Sequence, residues 1–439
     1  MSRGYRAAIG YSLLFRVWQS LAGGVSIALI AATLDPITQG YYYTFASLIA
    51  LQTFFELGLY LVISVTASHE WARLELTPDG GIGGDAMAHA RLISLGRFMF
   101  RWYGVAALLF AGLALAFGSY FLGRPEQVQV KWAQPWLLHV LFSAVSMWLM
   151  PFLSLLVGCD QVSITARFRL LQSVLAQSAL VVALISGLGL WSLCALSGIS
   201  ALLLLCYLSW GRRHFFKSFY GPQVGTGLSW RRDLLPMQWR LALQGLFSYL
   251  SFPLYTVLSF AYAGAAEAGR VGMTLQIVSA TQTIALVLIS TRAPALAMAV
   301  ASAQRPHLER VWRRATLQTV SLMIMMVIAL LGALQIARAA NWAAAGRVCD
   351  SPIVAMLLLG SLSAVGVQCI AVYLRAHKQE LLTPVGVFSG AIYGLTAWLV
   401  VTRLGAWGLA ASYLAITACV ALPWSWQILR RSRRTWGAA

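Results

Sequence analysis

The residues of this sequence that could do chemistry are charged side chains inside apolar stretches. Arg16 lies in the first such stretch, and Arg240 occupies the matching place in the seventh. An arginine at the centre of a membrane helix costs about 2.5 to 3.5 kcal/mol on insertion scales, so it usually faces a bundle interior or a wet cavity. The two arginines could therefore flank a cavity mouth, although side chains of their length also reach lipid headgroups.

Glu56 is the single acid deep in an apolar stretch, and Gln52 lies one helical turn before it on the same face. A buried carboxylate pairs with a cation, binds an ion or keeps its proton. Glu56 could thus pair with an arginine such as Arg101, couple transport to protons or sodium, or contact a substrate directly.

Further arginines and amides extend this polar set. Arg101 lies in the third apolar stretch, and Arg270 at the outer start of the eighth is followed by Gln276 and Gln282. Guanidinium groups bind phosphate oxygens bidentately and stay charged when partly desolvated. We expect a substrate-binding cavity with several arginines and few acids, which suits a polyanionic headgroup.

The elements that position these residues are membrane helices. Hydrophobic residues make up 59% of the chain and charged residues 10%. Apolar stretches of about 20 residues, the length that spans a hydrocarbon core of about 30 Å, recur from end to end. The sequence predicts an all-α membrane protein with about 12 transmembrane helices, at residues 8–33, 42–68, 92–122, 135–158, 164–187, 190–211, 236–263, 268–293, 311–337, 353–374, 382–402 and 405–429.

The basic character of the chain follows from its predicted topology. With both termini in the cytoplasm, most of the 32 Lys and Arg residues lie in cytoplasmic segments. This distribution is the positive-inside bias, so the net charge of +19 does not indicate nucleic-acid binding. The basic residues on the other side are Arg124, Lys131, Arg270, Arg338, Arg347 and Arg403.

The two halves of the chain are similar to each other. Residues 188–195 and 404–411 share Leu, Gly, Trp, Leu and Ala at the same spacing, and Gln39-Gly40 corresponds to Ala268-Gly269. Each half has an even number of helices, so the repeats are parallel, and we expect two pseudo-twofold-related six-helix bundles around a central cavity. The predicted domains are an N-terminal bundle at 1–211, a cytoplasmic linker at 212–235, a C-terminal bundle at 236–429 and a basic cytoplasmic tail at 430–439.

Motifs of soluble enzymes do not occur in this sequence. The stretch Gly80–Asp85 lacks the Lys-Ser/Thr ending of a phosphate-binding loop and has no strand before it, so we predict a flexible loop. The six cysteines have no metal-site or redox spacing. We therefore predict a protein that is not an enzyme and has no cofactor or bound metal.

Four segments resemble a known family. Residues 40–48 and 55–59 resemble the second helix of polysaccharide flippases in the multidrug/oligosaccharidyl-lipid/polysaccharide exporter (MOP) superfamily, and residues 236–240 and 268–274 resemble the matching parts of its second half. The resemblance implies a multi-pass protein of the bacterial inner membrane. It would flip an undecaprenyl-diphosphate-linked oligosaccharide from the cytoplasmic to the periplasmic leaflet by alternating access, for surface polysaccharide synthesis.

The resemblance also implies binding residues and partners. Arg16, Arg240 and Arg270 match the family's cationic cavity by type and approximate depth. The implied partners are the lipid-linked oligosaccharide, membrane lipids, H+ or Na+, and a polysaccharide polymerase with glycosyltransferases. Two alternatives stay open: a cation-coupled multidrug antiporter of the same superfamily, which would use Glu56, and a membrane scaffold for glycan synthesis that transports nothing.

Overall fold

The structure of the chain is a computed structural model that describes residues 3–56, 58–123, 130–220, 230, 235–250, 252–302, 305–377 and 379–437. The chain divides into two compact units, Met1–Leu34 with Leu48–Leu246, and Asp35–Ser47 with Phe247–Ala439. Apart from two short strands, the regular structure in the described part is helical, which confirms the predicted fold class.

The helices follow one another with short connections. Two of the helices end in π-helical turns, at Tyr207–Gly211 after the eighth helix and at Ile416–Ala421 after the fifteenth. In chain order, the helices and strands are α1 (Arg3–Thr33), α2 (Pro36–Ile49), α3 (Gln52–Glu56), α4 (Leu59–Trp71), β1 (Leu74–Leu76), β2 (Ile82–Gly84), α5 (Ala86–Leu122), α6 (Ala133–Gly158), α7 (Val162–Ile185), α8 (Trp191–Cys206), α9 (Arg213–Lys217), α10 (Leu235–Tyr249), α11 (Pro253–Ala263), α12 (Ala265–Ala301), α13 (Arg305–Ala339), α14 (Ser351–Ala376), α15 (Thr383–Ala415) and α16 (Leu422–Gly437).

Two of the predicted membrane helices are broken. Among the residues that the structure describes, ten helices are long and apolar enough to cross a membrane. The second predicted helix is divided into α2, α3 and α4, and Gly58 before α4 has a φ of 65°, a left-handed conformation that favours glycine. The seventh is divided into α10 and α11, where Pro253 starts a new helix because its ring cannot continue the one before it.

The predicted internal repeat is visible in two matching turns. Gly189, between α7 and α8, has a φ of 55°, and Gly405, where α15 kinks, has a φ of 52°. These glycines are equivalent in the aligned halves, and both have a positive φ, which favours glycine, at a turn between helices. The backbone therefore repeats at the place where the sequence repeats.

The glycine-rich stretch is not the flexible loop that the sequence predicts. Strands β1 and β2 pair antiparallel, with Leu74 opposite Gly84 and Leu76 opposite Ile82. The expectation that no strand precedes this stretch was therefore wrong, because the alternation of Leu74 and Leu76 is too short to be recognised as a strand. Asp85 then caps α5 by accepting a hydrogen bond from the Ala88 amide at 2.8 Å.

The first half of α2 packs within the second unit, against α12. Gln39 is buried, and its Nε2 donates to the carbonyl oxygens of Gly269 at 2.8 Å and Arg347 at 3.1 Å. A Cβ at Gly40 would overlap the carbonyl oxygen of Ala265. Small residues at a helix crossing allow such close backbone approach. Gly40 and Gly269, which are equivalent in the aligned halves, are themselves in contact.

Gly40→Ala is expected to destabilise the fold by about 1 to 3 kcal/mol, because the added methyl group meets backbone that cannot rotate away. The unfolding temperature of the purified chain in detergent measures this effect. Gly112→Ala is the matched control, since a Cβ at Gly112 on α5 meets nothing within 4 Å. Equal unfolding temperatures for the two variants would contradict the assignment of Gly40 to a tight crossing.

The basic C-terminal segment is helical and docks on the second unit. Arg433 on α16 lies 2.9 Å from the carboxylate of Glu309, and its guanidinium lies over the rings of Trp312 and Tyr373. The Tyr373 hydroxyl donates to the same carboxylate at 2.6 Å. An ion pair reinforced by cation–π contacts therefore fixes the last helix to α13 and α14.

Candidate functional site

The first unit contains a cavity of about 810 Å³ with many polar lining residues, which we call the bundle cavity. Six of the long helical segments, α1 and α4 to α8, contribute to its lining together with the short helix α3. Its polar lining residues are Gln19, Gln52, Glu56, Tyr60, Tyr103, Ser146, Ser154, Arg169, Gln172, Ser173, Gln177 and Ser200. Polar groups of this number converging inside a helix bundle are typical of a binding site.

Glu56 lies in the bundle cavity at the end of α3, where the second membrane helix is broken. Its carbonyl oxygen accepts a hydrogen bond of 3.4 Å from the hydroxyl of Tyr103 on α5. Broken helices at membrane depth occur where the backbone is buried in protein or lines a water-filled cavity. The break therefore holds both the carboxylate and the backbone of Glu56 at the cavity.

The structure does not place Glu56 in an ion pair with Arg101. In the described part of the chain, no ion pair of Glu56 is found, and Arg101 lines a separate groove on α5. The roles considered for Glu56 therefore stay predictions. Gln52, one helical turn before Glu56, lines the same cavity.

Arg169 on α7 is the cationic residue of the bundle cavity, and sequence reasoning missed it. Its Nε is buried, and within the described residues it has no hydrogen-bond partner. Gln172, Ser173 and Gln177 follow on the same helix and also line the cavity. This spacing of three to four residues is a polar stripe on one face of an otherwise apolar helix, a signal that could have identified the site.

Some of the cavity amides are held in place by neighbouring helices. Gln172 Nε2 donates to the carbonyl oxygen of Ser200 on α8 at 2.8 Å, and Gln177 Nε2 donates to the Ser26 hydroxyl on α1 at 3.5 Å. Each leaves its amide oxygen as an acceptor. The cavity thus presents fixed neutral donors and acceptors around one carboxylate and one guanidinium, and it can bind a polar ligand of either charge or none.

Arg16, one of the arginines predicted to line a cavity, does not line the bundle cavity. Arg16 is exposed on α1 and is absent from the cavity lining, whereas its neighbours Phe15 and Gln19 contribute to it. The side chain of Arg240 lies outside the described residues. A shared role for these two arginines stays a prediction.

Arg270 lies at the start of α12 and is surrounded by acids. Its Nη1 and Nη2 are each 3.3 Å from a carboxylate oxygen, of Glu267 and Asp350 respectively. Its Nε donates to the Val348 carbonyl at 3.4 Å. These contacts favour a structural role for Arg270 in holding the segment before α14 against α12.

The predicted amides of the second half are separated from this ion-pair cluster. Gln276 and Gln282 are half-buried on α12, and no hydrogen bond joins either of them to Arg270 among the described residues. Within the same residues, no group of three or more His, Cys, Asp and Glu side chains could hold a metal ion.

Known structures share this fold. No family model matches the sequence, and no curated protein matches it. An inward-facing structure of a multidrug resistance MATE family transporter of the MOP superfamily is 13% identical, with a TM-score of 0.67 over 98% of this chain and 99% of that chain. An outward-facing structure of such a transporter is 15% identical, with a TM-score of 0.58 over 99% and 97%.

A eukaryotic MATE transporter is also similar, at 13% identity and a TM-score of 0.60, with 99% of both chains covered. The chain therefore has the fold of the MATE transporters of the MOP superfamily. The likeness is to the fold and does not distinguish the polysaccharide branch from the multidrug branch.

Proposed function

We propose that the chain is a membrane transporter that works by alternating access and carries a lipid-linked oligosaccharide. The proposed substrate is built on undecaprenyl diphosphate and moves from the cytoplasmic to the periplasmic leaflet of a bacterial inner membrane. The fold supports alternating access, since similar chains have been solved in inward-facing and outward-facing conformations. The resemblance of residues 40–48 and 236–240 to polysaccharide flippases supports the substrate class.

The observation that carries the proposal is the composition of the bundle cavity. Four glutamines, four serines and two tyrosines line it beside a single glutamate and a single arginine. Neutral amides and hydroxyls are the groups that match the many hydroxyls of a sugar, since each can both donate and accept hydrogen bonds. Arg169 adds a site for an acidic sugar or a phosphate oxygen.

The diphosphate is assigned to arginines outside the bundle cavity. Arg16 and Arg240 keep this proposed role, because they are equivalent in the two halves. Arg270 is not assigned to the diphosphate, because two carboxylates already offset its charge.

Deletion of the gene is expected to cause lipid-linked oligosaccharide to accumulate on the cytoplasmic face of the membrane. Surface glycan should fall in parallel, since the block lies at the transfer between leaflets. The measurement is extraction of lipid-linked oligosaccharide from inside-out and right-side-out vesicles, and the control is complementation with the intact gene. Unchanged amounts on both faces would argue against a flippase.

Glu56 favours a second candidate, a cation-coupled multidrug antiporter. Its carboxylate lies in the bundle cavity, and the described residues supply no ion-pair partner. An acid in such a site can bind a proton, a metal cation or a cationic drug. Increased susceptibility of the deletion strain to cationic drugs, without accumulation of lipid-linked oligosaccharide, would select the antiporter.

A further inference from the structure

A second concave surface of the first unit runs along α5, and we call it the α5 groove. It has a volume of about 700 Å³ and is separate from the bundle cavity, with which it shares no lining residue. The residues that line it are Phe54, Phe55, Ser94, Arg97, Phe98, Arg101, Trp102, Val105, Ala106 and Leu109. A volume of this size is ordinary for a small-molecule site.

Polarity changes in one direction along the α5 groove. Ser94, Arg97 and Arg101 come first along α5 from its N-terminal end, which the predicted topology places at the cytoplasm, and Val105 and Leu109 follow. At about 1.5 Å per residue, the distance from Ser94 to Leu109 is about 22 Å. The groove therefore has a cationic end near the cytoplasmic leaflet surface and an apolar end inside the membrane.

The two arginines are placed to bind one anionic group. They are one helical turn apart, so both side chains emerge on the same face of α5. Arg97 Nε donates to the carbonyl oxygen of Phe219 at 3.1 Å, which orients its guanidinium. Arg101 is exposed, and among the described residues no partner for it is found.

We propose that the α5 groove binds an anionic phospholipid of the cytoplasmic leaflet, with its phosphate on Arg97 and Arg101 and an acyl chain along Val105 and Leu109. The length and the direction of polarity match one lipid of one leaflet, whose hydrocarbon half-thickness is about 15 Å. Arginine clusters at this level attract anionic headgroups. The exposed fractions of Val105 (58%) and Leu109 (55%) leave the apolar end open to an acyl chain.

A lipid in this groove would contact Trp102, which stacks on a residue of the segment that connects the two halves of the chain. Trp102 stacks on Trp230, with ring centroids 6.0 Å apart, and Trp230 Nε1 donates to Gln238 on α10 at 2.8 Å. Phe98, which also lines the groove, stacks on Trp102 with ring centroids 5.9 Å apart. Lipid binding is therefore expected to stabilise the contacts of Trp230 with Trp102 and Gln238.

The test measures phospholipid binding to the purified, delipidated full-length chain by native mass spectrometry. Phosphatidylglycerol is expected to bind about tenfold more tightly than phosphatidylcholine, because only the former is a net anion that the arginines can neutralise. Arg101→Gln should lower the affinity for phosphatidylglycerol about tenfold and leave the affinity for phosphatidylcholine unchanged. Arg292→Gln, at an exposed position on α12, is the matched control and should leave both affinities unchanged.

A second variant tests the apolar end independently of charge. Val105→Trp fills the groove from an exposed position, so it should weaken both lipids about equally while the unfolding temperature of the lipid-free chain stays the same. Equal affinity for the two lipids, or the same loss in Arg101→Gln and Arg292→Gln, would overturn the proposal. So would displacement of phosphatidylglycerol by a lower concentration of a polyprenyl phosphate, since the groove would then belong to a transported lipid.

Discussion

Arg169→Gln is expected to lower oligosaccharide export by about ten- to a hundredfold, the equivalent of about 1.5 to 3 kcal/mol for a lost charge-assisted hydrogen bond. Arg169 is the cationic residue of the bundle cavity, and its buried Nε lacks a hydrogen-bond partner in the described structure. A guanidinium held in a polar cavity with unused donors is a binding group for an acidic sugar or a phosphate. Glutamine keeps similar length and polarity but cannot make the forked, charged contact.

The measurement is surface glycan and cytoplasmic-face lipid-linked oligosaccharide in a deletion strain that carries the variant. Arg167→Gln is the matched control, because Arg167 lies two residues earlier on α7, is exposed and is absent from the cavity lining. Membrane levels of both variants should equal that of the wild type. Export at the wild-type rate in Arg169→Gln would show that the bundle cavity does not bind the substrate.

The helical layout of this fold could be predicted from the sequence, because apolar length alone decides whether a segment crosses a membrane. The breaks in the second and seventh membrane helices could not be predicted from the sequence. Gly58 and Pro253 are present in the sequence, but glycine and proline also occur inside intact membrane helices, where neighbours satisfy the freed backbone groups. Pro294, inside α12, is an example in this chain. Whether such a residue ends a helix depends on packing that the sequence does not display.

The bundle cavity could be predicted in part. Glu56 and Gln52 stand out because an acid deep in an apolar stretch is rare, and both line the cavity. Arg169 lies in the first third of α7, near a helix end, where arginines commonly extend to the membrane surface. The type and position of Arg169 alone therefore do not indicate whether its side chain faces the cavity or the membrane surface. Only the polar stripe that it forms with Gln172 and Gln177 indicates that it faces the cavity.

The surroundings of Arg270 and Arg101 depend on contacts between distant parts of the chain. Arg270 is three residues from Glu267, a pairing that a helix makes visible in the sequence. Its second partner, Asp350, belongs to the segment before α14, and no local pattern connects them. Likewise Arg101 is an isolated charge in the sequence, and its groove exists because α3 and its phenylalanines pack beside α5.

Glu56→Gln is expected to abolish the dependence of transport on a proton or sodium gradient while leaving membrane insertion intact. The reason is the position of the carboxylate in a polar cavity at the broken second helix, where a transported ion and the backbone of the break can meet. Glutamine occupies nearly the same volume and keeps hydrogen bonding, but it carries no charge and cannot release a proton. Substrate exchange in the absence of a gradient should therefore continue.

Proteoliposomes with an imposed pH or sodium gradient separate coupling from substrate binding, because each gradient can be collapsed with an ionophore. Wild-type uptake should fall to the gradient-free rate on collapse, whereas Glu56→Gln should show that rate throughout. Glu75→Gln, on the exposed strand β1, is the control and should retain full gradient dependence. If Glu56→Gln responds to the gradients as the wild type does, the carboxylate does not couple transport, and its place in the cavity is explained by substrate contact instead.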